Sequence, residues 1–308
     1  MTSAPSDSAP ADVAPANVVE DVGAAKSGSV HEIIDLAKTV IYALLIALVL
    51  RIVLFQPFTI PSASMEPTLL EGDYIIVSKF AYGWSRVSLS IPFVNLPAPH
   101  GRLLMRQPHR GDIVVFKLPR DDKTDYIKRL VGLPGDRIQV KHGVLNINDQ
   151  PVTRVQLPSV TEDSAFGLPR QIDSYQETLG KKTFTTHAFG PDGPADNTGV
   201  YVVPKGCYFM MGDNRDNSLD SRFPPYNDPS SYAAKACPWN DALDQYVGQP
   251  YVGPGFVPDN AGVGFVPAEN LVGKADVILF SWKQGASLFK PWTWFTDARW
   301  GRFLHFLT

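Results

Sequence analysis

Apolar residues are distributed unevenly along the chain, and their spacing divides it into three parts. Residues 1–30 are rich in Ala, Ser and Pro, contain no aromatic residue and show no apolar period. Such a segment cannot offset the entropy of ordering, so residues 1–35 are expected to form a flexible tail. From Leu36 to Phe55 the chain reads LAKTVIYALLIALVLRIVLF, with only Lys38 and Arg51 charged. At about 1.5 Å per residue this run matches a bilayer core of ~30 Å, and both charges lie where long side chains can reach the interface. The pattern predicts one transmembrane helix over 36–56. A cleaved signal peptide fits poorly, because a long segment precedes the apolar run, and Pro57 and Pro61 separate it from the small residues at Ser62 and Ser64.

Beyond Phe55 the period changes to that of strands. DYIIVSKF (73–80), GDIVVFKL (111–118), DYIKRLVGL (125–133), DRIQVKHGVLNIND (136–149), VYVV (200–203) and CYFMMGD (207–213) are short runs rich in Val, Ile, Tyr and Phe, punctuated by Gly, Pro, Asn or Asp. They predict a mainly β fold over 57–308, a core of antiparallel sheets behind one transmembrane helix. The span from Pro151 to Thr198 reads as polar and irregular, and that from Arg222 to Gly262 is rich in Pro, Asn and Gly. Both are expected to be insertions, at 150–199 and 223–262, the first a smaller β or irregular region. GFVPDN at 255 and GFVPAEN at 264 are similar, but two copies fall short of a solenoid.

Composition narrows this picture. With 308 residues, 44% hydrophobic and 11% aromatic, the chain can build a sizeable core. A net charge of -3 gives no broad basic field, which argues against a nucleic-acid partner. Two cysteines, Cys207 and Cys237, do not make a disulfide framework, and six scattered histidines show no zinc spacing, so neither metal nor cofactor is expected. Lys26 and Lys38 against Arg51 favour a cytosolic tail and an external β domain. The C-terminal stretch holds three of the six tryptophans, Trp292, Trp294 and Trp300, among Phe, Arg and Lys. It reads equally as a headgroup-contacting segment or a packed terminus.

Candidate chemistry centres on Ser62-Ala63-Ser64, between Pro61 and Pro67. No G-x-S-x-G elbow is present and no histidine stands in a triad context, which leaves lysine as the base for a serine nucleophile, provided burial favours its neutral form. In DYIKRLVG, alternation puts Tyr126, Lys128 and Leu130 on one face and Ile127, Arg129 and Val131 on the other, so one of the two cations faces inward. Arg129 stays protonated, leaving Lys128 as the possible base of that pair. Lys79 and Lys117 also sit on apolar strands and remain candidates.

PSASMEPTL, DYIKRLVGLPGD and GDNRDNSLDSR, in that order, resemble the signature boxes of bacterial type I signal peptidases, membrane-bound serine proteases that remove signal peptides from exported proteins. GDIVVFKLP and GFVPAENLVGKA extend the similarity over residues 40–140 and 200–280. The resemblance implies Ser64 as nucleophile and Lys128 as general base. It implies an oxyanion site from the Ser64 N–H and the Ser62 hydroxyl, with Ser218 hydrogen-bonding the lysine amine. Asp213, Arg215, Asp220 and Arg222 would support the site. Substrates would be exported pre-proteins with small residues at -1 and -3, bound as an extended strand near Phe58 to Ile60 and Tyr126 to Leu130. The place implied is the bacterial inner membrane, single-pass, with the phospholipid bilayer as partner and the catalytic domain on the periplasmic side. Two other readings remain: a membrane-anchored β module that binds exported chains without cleaving them, and a self-cleaving Ser-Lys regulator, against which the spanning segment argues.

Overall fold

In a computed structural model the structure describes residues 22–89, 101–163, 169–190, 193, 195–225, 232–239, 262–283 and 292–307. The insertion read at 223–262 falls mostly outside these residues, as does GFVPDN.

The chain forms two units, Met1–Leu48 and Val49–Thr308. One α-helix runs Val22–Val53 and so begins inside the stretch read as tail. No proline occurs between Pro15 and Pro57, and the residues ahead of Leu36 are compatible with helix, so nothing stops it earlier. His31–Val53 is long and apolar enough to cross a membrane. Ile41, Tyr42, Leu44, Leu45, Ile46 and Val49 are all exposed, and consecutive apolar positions cover every side of the helix. A helix apolar all round whose apolar side chains are exposed among the described residues suits lipid rather than water.

The second unit is mainly antiparallel β. Its largest sheet runs in the order Phe55–Thr59, Asp73–Ser78, Leu271–Ser281, Ile113–Lys117, Asp125–Gly132, Cys207–Met211 and Val266–Pro267, with His305–Phe306 on the outer part of Leu271–Ser281. Strands distant in sequence are thus neighbours in space. Ile60, Met65, Leu69, Ile75, Val77, Ile113, Val115, Val272 and Ile278 form one core cluster under the sheet. Leu130, Tyr208, Met210, Val266 and Leu271, with Val114 and Phe116, form another.

The span 151–198, expected as a smaller β or irregular region, is largely β. It contains three long paired strands, Thr153–Asp163, Pro169–Leu179 and Lys182–Ala188. Residues 153–161 are largely exposed, and the buried positions of the other two strands include Ser174, Glu177, Thr186 and His187 beside Ile172, Leu179 and Phe184, so polar residues conceal the period. A further sheet orders Tyr201–Val202, Arg137–Lys141, Val144–Ile147 and Gln150–Pro151. Cys207 and Cys237 are joined as a disulfide that ties the short helix Tyr232–Ala236 to the strand Cys207–Met211.

Candidate active site

Ser64 occupies a 3-10 turn, Ala63–Met65, between the paired strands Phe55–Thr59 and Asp73–Ser78. The intervening loop is clamped at its base, where Ile60 N–H bonds to Asp73 O and Gly72 N–H to Ile60 O, both at 2.9 Å. Met65 and Leu69 are fully buried beneath it. Burying these flanking side chains fixes the turn and leaves the serine hydroxyl facing the next strand.

That strand is Asp125–Gly132. Lys128 lies opposite Val114 on one neighbour, while Arg129 lies opposite Met211 on the other. Both cations are buried, Lys128 3% exposed and Arg129 1%, because both faces of the strand are covered. Lys128 Nζ is 2.6 Å from Ser64 Oγ and donates to Ile127 O at 3.0 Å. Burial lowers its pKa from 10.5 to about 8; Asp220 and Asp213 oppose the shift and Arg222 adds to it. A substantial neutral fraction therefore exists at mildly alkaline pH.

The other candidate lysines are engaged elsewhere. Lys79, whose pKa burial and Arg51 also bring down to about 8, donates to Ile52 O at 3.3 Å. Lys117 pairs with Asp125 at 2.8 Å.

The box Gly212–Arg222 packs on the nucleophile from the far side. Asn214 N–H donates to Ser64 O and Asn214 Nδ2 to Ala63 O, each at 3.2 Å. Arg129 clasps Asp213 with Nε and Nη2, both at 2.7 Å, and Thr68 Oγ1 donates to the same carboxylate. Asp220 takes Arg222 Nε and the Gly212 N–H, each at 2.9 Å, and the Arg222 guanidinium holds its carboxyl below the usual carboxylate range against burial. Arg215 reaches Glu177 of the inserted sheet, with Nη1 at 2.8 Å from Oε1. Arg129, Asp213, Arg215, Asp220 and Arg222 each have a hydrogen-bonded counter-charge, whereas buried Lys128 bonds only to Ser64 Oγ and Ile127 O.

Ser62 is exposed and extended, with Oγ 3.4 Å from Ser64 Oγ. Ser218 is buried in the same site, but its hydroxyl makes no hydrogen bond to Lys128. Gly212 explains its position: a Cβ there would lie 2.3 Å from Ser218 Oγ and 2.5 Å from Ser64 O, so the three segments meet where only hydrogen fits. Asn214, Thr68, Glu177 and the anchoring role of Arg129 were not legible in the sequence. Their partners lie far along the chain, and the alternation that put one of Lys128 and Arg129 inward did not foresee that both are buried. Among the described residues, no group of three or more His, Cys, Asp and Glu could hold a metal ion.

A cavity of about 630 Å³ opens over the serine. Pro61, Ser62 and Ser64 line it from one side, residues 124–128 from a second, and residues 216–219 with Phe223 from a third. Its size suits a short extended peptide segment.

The model of the family described as "Signal peptidase, peptidase S26" matches residues 33–282. The chain is 38% identical over 250 residues to the signal peptidase I of Rickettsia typhi, covering 79% of this chain and 78% of that protein. It is 36% identical over 249 residues to the signal peptidase I of Rickettsia akari, covering 79% and 77%. A crystal structure of a signal peptidase I from Enterococcus faecalis V583 aligns at 23% identity with a TM-score of 0.25, covering 55% of this chain and 97% of that one.

Proposed function

This chain belongs to the signal peptidase family, peptidase S26, and on that premise we propose that Ser64 and Lys128 form the dyad with which it removes signal peptides from exported precursors. The contact of 2.6 Å between Lys128 Nζ and Ser64 Oγ carries the proposal.

Neutral Lys128 accepts the Ser64 proton as Oγ attacks the scissile carbonyl. The charge that grows on the carbonyl oxygen is met by the Ser64 N–H and the Ser62 hydroxyl. The lysine ammonium then protonates the leaving amine, which departs as the N-terminus of the mature protein. Water, deprotonated by the again neutral Lys128, hydrolyses the acyl-enzyme. Burial of Lys128 favours the neutral amine without an acid-base partner such as histidine, since the low-polarity surroundings penalise the ammonium.

The precursor lies extended between residues 58–62 and 124–128, with small residues at -1 and -3 facing the cavity wall. Asp213, Arg215, Asp220 and Arg222 hold the box against Ser64 rather than react. Ser218 packs between Gly212 and the nucleophile turn; a hydrogen bond to the amine would need a rotamer change. The helix ending at Val53 anchors the enzyme once in the bacterial inner membrane, with the catalytic unit outside, in contact with phospholipid. The Cys207–Cys237 disulfide supports that side, because such bonds persist in oxidising compartments.

The test is incubation of the full chain in detergent with a synthetic precursor, with products identified by mass. One cut after the -1 residue, lost in Ser64→Ala, is expected; retained cleavage by that variant would reject the assignment.

A further inference from the structure

The inserted sheet lies against the box that holds Ser64. The N–H of His187, on its last strand, donates to Asp213 O at 2.9 Å, and just beyond that strand Phe189 N–H donates to Asp216 Oδ2 at 2.6 Å. The Phe184 ring packs on the Arg129 guanidinium at 3.7 Å, behind the cation that clasps Asp213. Each of these contacts falls on the box Gly212–Arg222 or on the neighbour of Lys128.

Glu177 makes the most directional contact. It sits on the middle strand, Pro169–Leu179, and is 1% exposed. Arg215 Nη1 donates to its Oε1 at 2.8 Å and Nη2 to its Oε2, two parallel donors on one carboxylate. Thr186 Oγ1, on the adjoining strand, donates to Oε1 at 3.3 Å, and Arg154 Nε lies 3.9 Å from the same oxygen. Arg215 Nε reaches back to Gly212 O at 3.2 Å. Glu177 and Gly212 are therefore joined through one planar guanidinium. Gly212 is where Ser218 and the Ser64 carbonyl come together, since a Cβ there would lie within 2.5 Å of both. Burying a carboxylate is costly, and an apolar pair would fasten the sheet with less loss. A forked ion pair adds what an apolar contact lacks, a fixed direction.

We propose that Glu177 is a positioning residue for the cleavage reaction, acting through Arg215 on Gly212 and so on the seats of Ser64 and Ser218. The inserted sheet is then part of the catalytic apparatus rather than an appendage. The proposal rests on the reading of Ser64 and Lys128 as the dyad.

The experiment measures steady-state cleavage of a synthetic precursor by the full chain in detergent. Glu177→Gln keeps the shape and removes the charge; Glu177→Asp keeps the charge one methylene short of Arg215. Asp173→Asn is the control, on the same strand but paired at the exposed side with Ser159 Oγ at 2.9 Å. In Glu177→Gln, kcat should fall by about tenfold or more with KM held within about threefold. KM holds because two of the three cavity walls, residues 61–64 and 124–128, lie outside the box. Glu177→Asp should recover part of the loss, and Asp173→Asn should cleave at the native rate. Added to Arg215→Gln, Glu177→Gln should cost less than about twofold more, as a residue acting through Arg215 must. Losses that multiply overturn the proposal, and so does a native kcat in Glu177→Gln, whether or not its Tm falls. If Glu177→Gln does not fold by circular dichroism, Glu177→Asp decides, and a native kcat there overturns the proposal equally. Cleavage that survives Ser64→Ala, or none by the native chain, overturns the dyad itself and this proposal with it.

Discussion

Lys128 Nζ sits 2.6 Å from Ser64 Oγ although 64 positions separate the two residues in the chain. Ser64 is held by a turn whose base is a strand pair, and Lys128 by a strand paired on both sides. Neither residue can move without disturbing the main sheet, and this rigidity lets a buried amine meet a hydroxyl at bonding distance.

The first consequence concerns pH. With the Lys128 pKa lowered by burial to about 8, kcat/KM should rise about tenfold per pH unit below that value and level off above it. Steady-state cleavage of a soluble precursor peptide across the range checks this; a rise continuing to the pKa of free lysine would refute it. Stability carries the same signature. The unfolded chain keeps Lys128 protonated up to 10.5, so between about 8 and 10.5 it binds more protons than the folded one. The burial penalty is therefore fully present below 8 and is relieved as pH rises through this window. Lys79, shifted to about 8 chiefly by burial, adds in the same direction. Lys128→Met should raise the denaturation midpoint at pH 7 while abolishing cleavage.

Gly212→Ala should lower kcat by at least ~10²-fold with a much smaller change in KM, because the new Cβ would force Ser64 and Ser218 out of place. Single-turnover kinetics beside circular dichroism distinguishes displacement of the site from unfolding.

Arg129→Met would leave the Asp213 carboxylate, 1% exposed, without its bidentate partner. Removing one member of such a buried pair costs about 3–5 kcal/mol, measurable by urea unfolding. Arg129→Lys should recover only part of this, since an ammonium cannot present two parallel donors.

The Cys207–Cys237 bond closes a loop with a sequence separation of 30. A loop of that length stabilises by about 3–4 kcal/mol through restriction of the unfolded chain, so Cys237→Ser should lower Tm by on the order of 10 °C. Reductant should produce the same fall in the native chain and none in the variant.

The sequence by itself determined the local elements: the membrane-length helix, the Val- and Ile-rich strands, and the boxes that carry Ser64, Lys128 and Gly212 to Arg222. These were legible because apolar period and turn residues act over a few neighbouring positions. The inserted sheet at 153–188 was not, since its buried positions include the polar residues Ser174, Glu177, Thr186 and His187, which leave no apolar alternation to read. Nor did the apolar pattern by itself choose among the lysines, although the resemblance of the boxes pointed to Lys128. Lys128 lies on the strand Asp125–Gly132, whereas Lys79 lies not on the strand its pattern suggested but in the 3-10 turn Lys79–Ala81 that follows it; both are shifted to about 8, yet Lys79 meets a helix carbonyl and Lys128 a serine hydroxyl. Only the tertiary structure supplies the distance that sets Lys128 rather than Lys79 beside Ser64, along with the anchoring of Ser64 by Asn214, of Asp213 by Arg129 and Thr68, and of Arg215 by Glu177. Burial and distance are set by which strands pair across the sheet, and that pairing depends on the packing of the whole unit rather than on any stretch of sequence.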